Sequence, residues 1–387
     1  MLTYVVTVAA VLLVAAVGVA AFFLLRYLRR SRGEVPEDVK EIWELTRAIE
    51  RDPQNAEAYY QRGLIYSERG SYEQAIRDYS RAIELKPDFS LAYIDRGVAW
   101  GESGDLRKEI EDQSKAIELD PDDPLPYTNR GVAFRNLGQY DQAIREHSRA
   151  LELDGEYTLA WVNRGVAYNE KGDLEKALAD YNRALELSPQ HALAYVNRGK
   201  NYIDLGDYEK AIADCNKAIE LDPDDSLPVT NRGVARDALG QHEQAIADHT
   251  RALAQDPRFS LACVNRGVAY ANLGRYGEAV QDYDQALELE PESERAYLNR
   301  AVAYLELGLP KKALEDCRTA VKLAPADSAA HYNLACAYSL LKRTREAVQS
   351  LERAIALESG LREDAAADED FENLREDEGF ARLLMGW

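Results

Sequence analysis

From Ala56 to Leu361 the chain repeats every 34 residues, nine times, with no insertion or deletion. A period this strict specifies a stack of like units, none of which can bury its apolar face alone. With positions counted from Ala56, glycine stands at position 8 in the first seven units (Gly63, Gly97, Gly131, Gly165, Gly199, Gly233, Gly267), and Ala301 and Ala335 take its place in the last two. Alanine fills position 27 in all nine units and position 20 in eight, glycine fills position 15 in eight, and proline fills position 32 in seven. Each unit therefore reads as a helix A, a glycine turn and a helix B, with small residues where the helices touch and a stop at the end.

These columns, with aromatic residues such as Tyr59, Tyr66 and Tyr79, resemble the tetratricopeptide repeat family over 306 of 387 residues. The resemblance implies an all-α, right-handed superhelix of nine helix hairpins at residues 56–361 whose concave groove binds a protein or an extended peptide. Three places depart from the pattern: Glu109 at position 20, Gly155 in place of the terminal proline, and Ser359-Gly360 at the end of the ninth unit. They predict local irregularity within the same fold.

At about 100° per residue, positions 3, 4, 7, 8, 10 and 11 of helix A share one face and positions 2, 5, 6, 9, 12 and 13 the other. The first is expected to pack and the second to line the groove. Position 7, on the packing face, is Arg in eight units, and position 23, opposite it on helix B, is acidic in the same eight. The ninth unit has Leu334 and Ser350 at the two places. A charge on a packing face needs a partner, so the columns predict a repeated bridge from arginine to carboxylate between helices A and B.

The flanks are different material. Residues 2–25 contain no charge, and as a helix would reach about 36 Å, against a hydrocarbon thickness of roughly 30 Å. Residues 1–25 are expected to be a transmembrane helix. Arg26, Arg29, Arg30 and Arg32 follow in a basic linker (26–35), while the other side offers only the terminal amine, which places the repeats in the cytoplasm by the positive-inside rule. A cleaved signal peptide would carry a basic n-region and a shorter apolar core. Residues 36–55 read as a half unit, with Glu41, Ala48 and Pro53 at the phases of positions 20, 27 and 32 and Ile42, Trp43, Leu45 and Ile49 packing as a lone helix B. Residues 362–387 are acidic yet place Phe371, Leu374, Phe380 and Leu383 at helical spacing, which suits a cap on the last repeat.

A longer period lies inside the short one. Repeats three and six share LPxTNRGVA, repeats four and seven share LAxVNRGVAY, and repeats two and five share KAIELDPDD, as if a block of three units had been copied. Similar groove linings are then expected three repeats apart.

Position 6 is asparagine in seven units: Asn129, Asn163, Asn197, Asn231, Asn265, Asn299 and Asn333. An amide donates and accepts, so a column of amides can pair with an extended peptide backbone whatever its side chains. The resemblance implies this role too, since long arrays of the family bind peptides with such a ladder; hydrogen bonding within the stack is the alternative. Around the column stand leucines at position 2, Val132, Val166 and Val234 among the residues at position 9, and acids at position 13, with Lys200 and Arg295 as basic exceptions. An apolar ligand segment with basic residues suits this lining.

The chain carries a net charge of −21, and residues 1–34, with four arginines and one glutamate, leave −24 for the rest. Nucleic acid is not an expected partner. Four cysteines without a CxxC pair suggest neither a zinc site nor a disulfide framework. The five histidines form no HExxH motif, and no nucleotide-binding glycine loop or GxSxG is present, so no catalysis, no cofactor and no small-molecule substrate is expected. The expected function is a membrane-anchored scaffold for a protein partner. An assembly factor for membrane or envelope proteins and the regulatory subunit of an enzyme are the alternatives.

Overall fold

The computed structural model describes residues 36–385, and every regular element among them is helical. The expected transmembrane helix at residues 2–25 and the basic linker lie outside the described residues. No helix among the described residues is long and apolar enough to cross a membrane.

The chain divides into two compact units at Lys171 and Gly172. The first begins with a helix at Glu37–Arg51 and continues with three hairpins, Ala56–Glu68 with Tyr72–Leu85, Ser90–Glu102 with Leu106–Leu119, and Pro124–Asn136 with Tyr140–Leu153. It closes on Thr158–Lys171, helix A of the fourth repeat. In the helix at Glu37–Arg51 only Ile49 is buried; Trp43, expected to pack, is 48 % exposed, and the Arg47 guanidinium covers its ring at 4.3 Å.

The second unit starts with Leu174–Leu187 and holds five hairpins, from Ala192–Asp204 with Tyr208–Leu221 to Ser328–Leu340 with Thr344–Leu357. After them come Leu361–Ala367, a 3-10 turn at Glu369–Leu374 and a helix at Glu378–Met385. Phe371, Leu374 and Phe380 are buried against the ninth repeat, and the Tyr332 hydroxyl donates to Asp368 at 2.7 Å.

Each hairpin turn needs a left-handed residue at position 15. Glycine supplies it from Gly70 (φ 69°) to Gly308 (φ 68°), and in the ninth repeat Lys342 adopts φ 58° without that freedom. A second requirement concerns close approach. A Cβ added at position 8 would meet the side chain of position 24: Tyr79 at 2.6 Å from Gly63, His147 at 2.5 Å from Gly131, His249 at 2.5 Å from Gly233 and Tyr283 at 2.5 Å from Gly267. Where position 24 is the smaller Cys215, the distance from Gly199 opens to 3.2 Å. The two units with alanine at position 8 have Cys317 and Leu351 opposite, and wherever position 24 carries a ring in these repeats, position 8 is glycine.

The arginine column does more than join the two helices of a repeat. In the first unit Arg62 holds Asp78 at 2.7 and 2.8 Å, Arg96 holds Asp112 at 2.8 and 2.7 Å, and Arg130 holds Glu146 at 3.1 and 2.7 Å. In the second Arg198 holds Asp214 at 2.7 Å through both nitrogens, and Arg232, Arg266 and Arg300 hold Asp248, Asp282 and Asp316 in the same way. The remaining nitrogen, Nη1, reaches back to position 25 of the preceding helix B: Thr46, Ser80, Ser114 and Ser148 for Arg62, Arg96, Arg130 and Arg164. In the second unit it reaches Asn182, Asn216, Thr250 and Asp284. One guanidinium thus ties three helices and links successive repeats, which the fixed fork of an arginine can do and a lysine cannot. At position 25 of the eighth repeat the acceptor becomes Arg318, and the next position 7 is Leu334. The staple stops where its acceptor disappears.

Candidate binding face

Helix A presents a narrower open stripe than the periodicity suggests. Position 5 was expected to line the groove, but Tyr60, Ile94, Thr128 and Val162 in the first unit, and Val196, Thr230 and Val264 in the second, are all buried. Helices A of neighbouring repeats meet there, and the Tyr60 hydroxyl bonds Asp95 of the next helix A at 2.7 Å. What remains open runs through positions 2, 6, 9 and 13, within about 60° of one helical face.

In the first unit the stripe carries Leu91 and Leu159, both exposed, with Asn129, Asn163, Val132 and Val166 partly exposed beside them. In the second it carries Leu193, Leu227 and Leu261, which are 47 %, 38 % and 40 % exposed, with Asn197, Asn299, Asn333 and Val234 partly exposed; Asn231 and Asn265, expected on the groove wall, are instead buried by the neighbouring helices. These leucines bury half or more of their surface against the stack and leave over a third in water.

The seven asparagines differ from one another in a way the sequence hid. Asn265 accepts a hydrogen bond from Arg295 Nη2 at 3.1 Å. The side-chain amides of Asn129, Asn163, Asn197, Asn231, Asn299 and Asn333 take no partner among the described residues. An amide column bonded within the stack would show the opposite. The two basic exceptions are engaged as well. Lys200 Nζ is held by Asp204, one turn along its own helix, at 2.5 and 2.7 Å, and Arg295 is held by Asn265. Helical spacing of i to i+4 explains the first.

The side chains with reactive chemistry are enclosed in the packing. His147 and His249 are fully buried with both ring nitrogens unpartnered, and burial lowers their pKa to about 3 and about 4, so both are neutral rings in the packing. Cys215, Cys263, Cys317 and Cys336 are free and buried. Cys336, Asp368 and Asp370 bring potential ligand atoms within 4.8 Å of one another. Burial, then Asp368, pushes the Cys336 thiol far up, away from the thiolate that binds metals, and the Asp368 carboxylate already accepts from the Tyr332 hydroxyl and the Asp370 amide.

Two contacts were missed by sequence reasoning. Position 25, the third arm of the staple, is small and polar in seven units and could have been found by the column reading that found position 23. The burial of position 5 left no such signal, because Val, Ile and Thr suit either face.

Stacked helix hairpins with a glycine and alanine seam and an open stripe on helix A define a helical-repeat protein. Tetratricopeptide repeat models match residues 56–89, 158–191, 192–225, 230–293, 264–328, 114–145 and 328–360, and the chain belongs to that family. Among solved structures it is similar to a tetratricopeptide repeat protein from Parabacteroides merdae, at 24 % identity and a TM-score of 0.53 over 63 % of this chain and 97 % of that one. It is also similar to the Cut9-Hcn1 hetero-tetramer of the APC/C, at 16 % identity and a TM-score of 0.59 over 83 % and 76 %. These likenesses concern the fold. No curated protein matches.

Proposed function

We propose that the chain is a non-enzymatic scaffold that holds an extended segment of a protein partner on the open stripes of its helices A. The observation that carries this reading is the run of asparagine amides without an internal partner in the second unit, partly exposed at Asn197, Asn299 and Asn333 and accompanied by exposed leucines. Such amides offer a donor and an acceptor per repeat to a peptide backbone, and the leucines offer apolar contact to its side chains. The acids at position 13 favour a segment carrying basic residues. Cut9, which shares the fold, is found in a hetero-tetramer with Hcn1, in keeping with a role in assembly.

Replacing Asn197, Asn231 and Asn299 together by alanine is expected to weaken capture of the partner at least tenfold while shifting the melting temperature by no more than a few degrees. Unchanged capture, or a large fall in stability, would assign the amides to the stack instead.

The scaffold is further proposed to be held at a membrane by residues 2–25, with the repeats in the cytoplasm. Support comes from the uncharged run followed by Arg26, Arg29, Arg30 and Arg32. Protease added to sealed cells is then expected to leave the repeats intact and to digest them once the membrane is opened. Digestion from outside, or recovery of the intact chain in the soluble fraction, would reject the topology.

A further inference from the structure

Position 20 touches helix A of its own repeat and is alanine in eight of nine units; in the second it is Glu109, and it is 6 % exposed. Its carboxylate has room because position 12 of the same repeat is glycine only here: a Cβ on Gly101 would collide with Glu109 Oε2. Two departures from the repeat therefore fit each other, and the pair places an acid between two helices.

The neighbouring charges leave it alone. On its own helix Asp105 and Lys108 pair with each other, Lys108 covers the Trp100 ring, and Asp112 is held by Arg96. From helix A of the repeat, Asp95 accepts from Tyr60, and Glu102 adds a second negative charge on the open stripe. From helix A of the third repeat, Tyr127 bonds the Pro121 carbonyl, Arg130 is occupied by Glu146 and Ser114, and Arg135 by Asn136. No cation and no hydrogen-bond donor among the described residues meets Glu109. Burial, and secondarily Glu102, raises its pKa from 4.5 to about 7.

We propose that Glu109 makes the second repeat a pH-responsive section of the array, closed while the acid is protonated and loosened when it ionises. The consequence for binding rests on the peptide-holding reading above, because helix A of this repeat carries Leu91, Val98 and Glu102 on its stripe. The opening itself does not depend on that reading.

The sign follows from linkage. A carboxyl whose folded pKa is raised favours the folded state most fully below about 4.5, and that contribution is lost as pH rises through about 7. Relative to a neutral residue, the open form of wild type gains about 30-fold at pH 6 and about 300-fold at pH 8, a tenfold growth between the two.

Hydrogen exchange of the full chain, read over residues 90–119 and corrected for intrinsic pH dependence, tests this without any partner. Glu109→Gln is expected to be more protected than wild type, by a ratio that grows about tenfold from pH 6 to pH 8. Glu109→Ala restores the residue found in the other units, and the same growth is expected if the glutamine variant fails to fold. A ratio that is flat between the two pH values, in the variant that folds, overturns the proposal.

Discussion

Replacing Asp214 by alanine is expected to destabilise the chain by up to about 3–5 kcal/mol, because it strands a largely enclosed guanidinium. The Asp214 side chain is 9 % exposed and Arg198 19 %, and both nitrogens that face Asp214 lie 2.7 Å from its oxygens. Arg198 would keep only its bond to Asn182, which satisfies Nη1 and leaves Nε and Nη2 without acceptors. The ninth repeat shows how the molecule does without the pair: Leu334 and Ser350 replace both members together. The double replacement Arg198→Leu with Asp214→Ser is therefore expected to cost less than Asp214→Ala alone, since a paired loss leaves no uncompensated charge. Urea unfolding of the three variants checks this. A single replacement costing under about 1 kcal/mol would mean that Arg198 swings into water.

Gly131→Ala is expected to cost about 2–3 kcal/mol, although alanine is the better helix former by about 1 kcal/mol. The new methyl would sit 2.5 Å from His147 Cε1, and that ring is fully enclosed. Gly199→Ala is the control: its Cβ meets Cys215 Sγ at 3.2 Å, so propensity and crowding nearly cancel. Combining Gly131→Ala with His147→Cys copies the eighth repeat, where Ala301 faces Cys317, and is expected to recover most of the loss. Equal melting curves for Gly131→Ala and Gly199→Ala would disprove the pairing of positions 8 and 24.

Most of this architecture was legible because each column is sampled nine times in one chain. The glycine, alanine and proline columns mark the helices and turns, and the joint loss of Arg and acid in the ninth repeat singles out the bridge. What the columns hid has a common physical cause: a residue facing the next repeat looks the same in sequence as one facing its own. Position 25 was passed over for that reason, though its serines, asparagines and threonine complete the staple. Position 5 was assigned to the open face because helical angle alone does not say where the neighbouring helix A sits. Trp43 illustrates the converse, an apolar residue at a packing phase that the first hairpin does not cover. For the open stripe, the sequence located the asparagines and left their partners undecided, since an amide's hydrogen bonds depend on distances that no spacing encodes.

The central claim is that the helices A of the second unit meet the partner through their open stripes. Its most direct test is photo-crosslinking in the native cell, with a benzophenone side chain at Val234 on the stripe and, separately, at Ala213, which is exposed on a helix B. The expected result is an adduct from Val234 that disappears when Asn197, Asn231 and Asn299 are alanine, and none from Ala213. An adduct from Ala213 with Val234 silent would contradict the account.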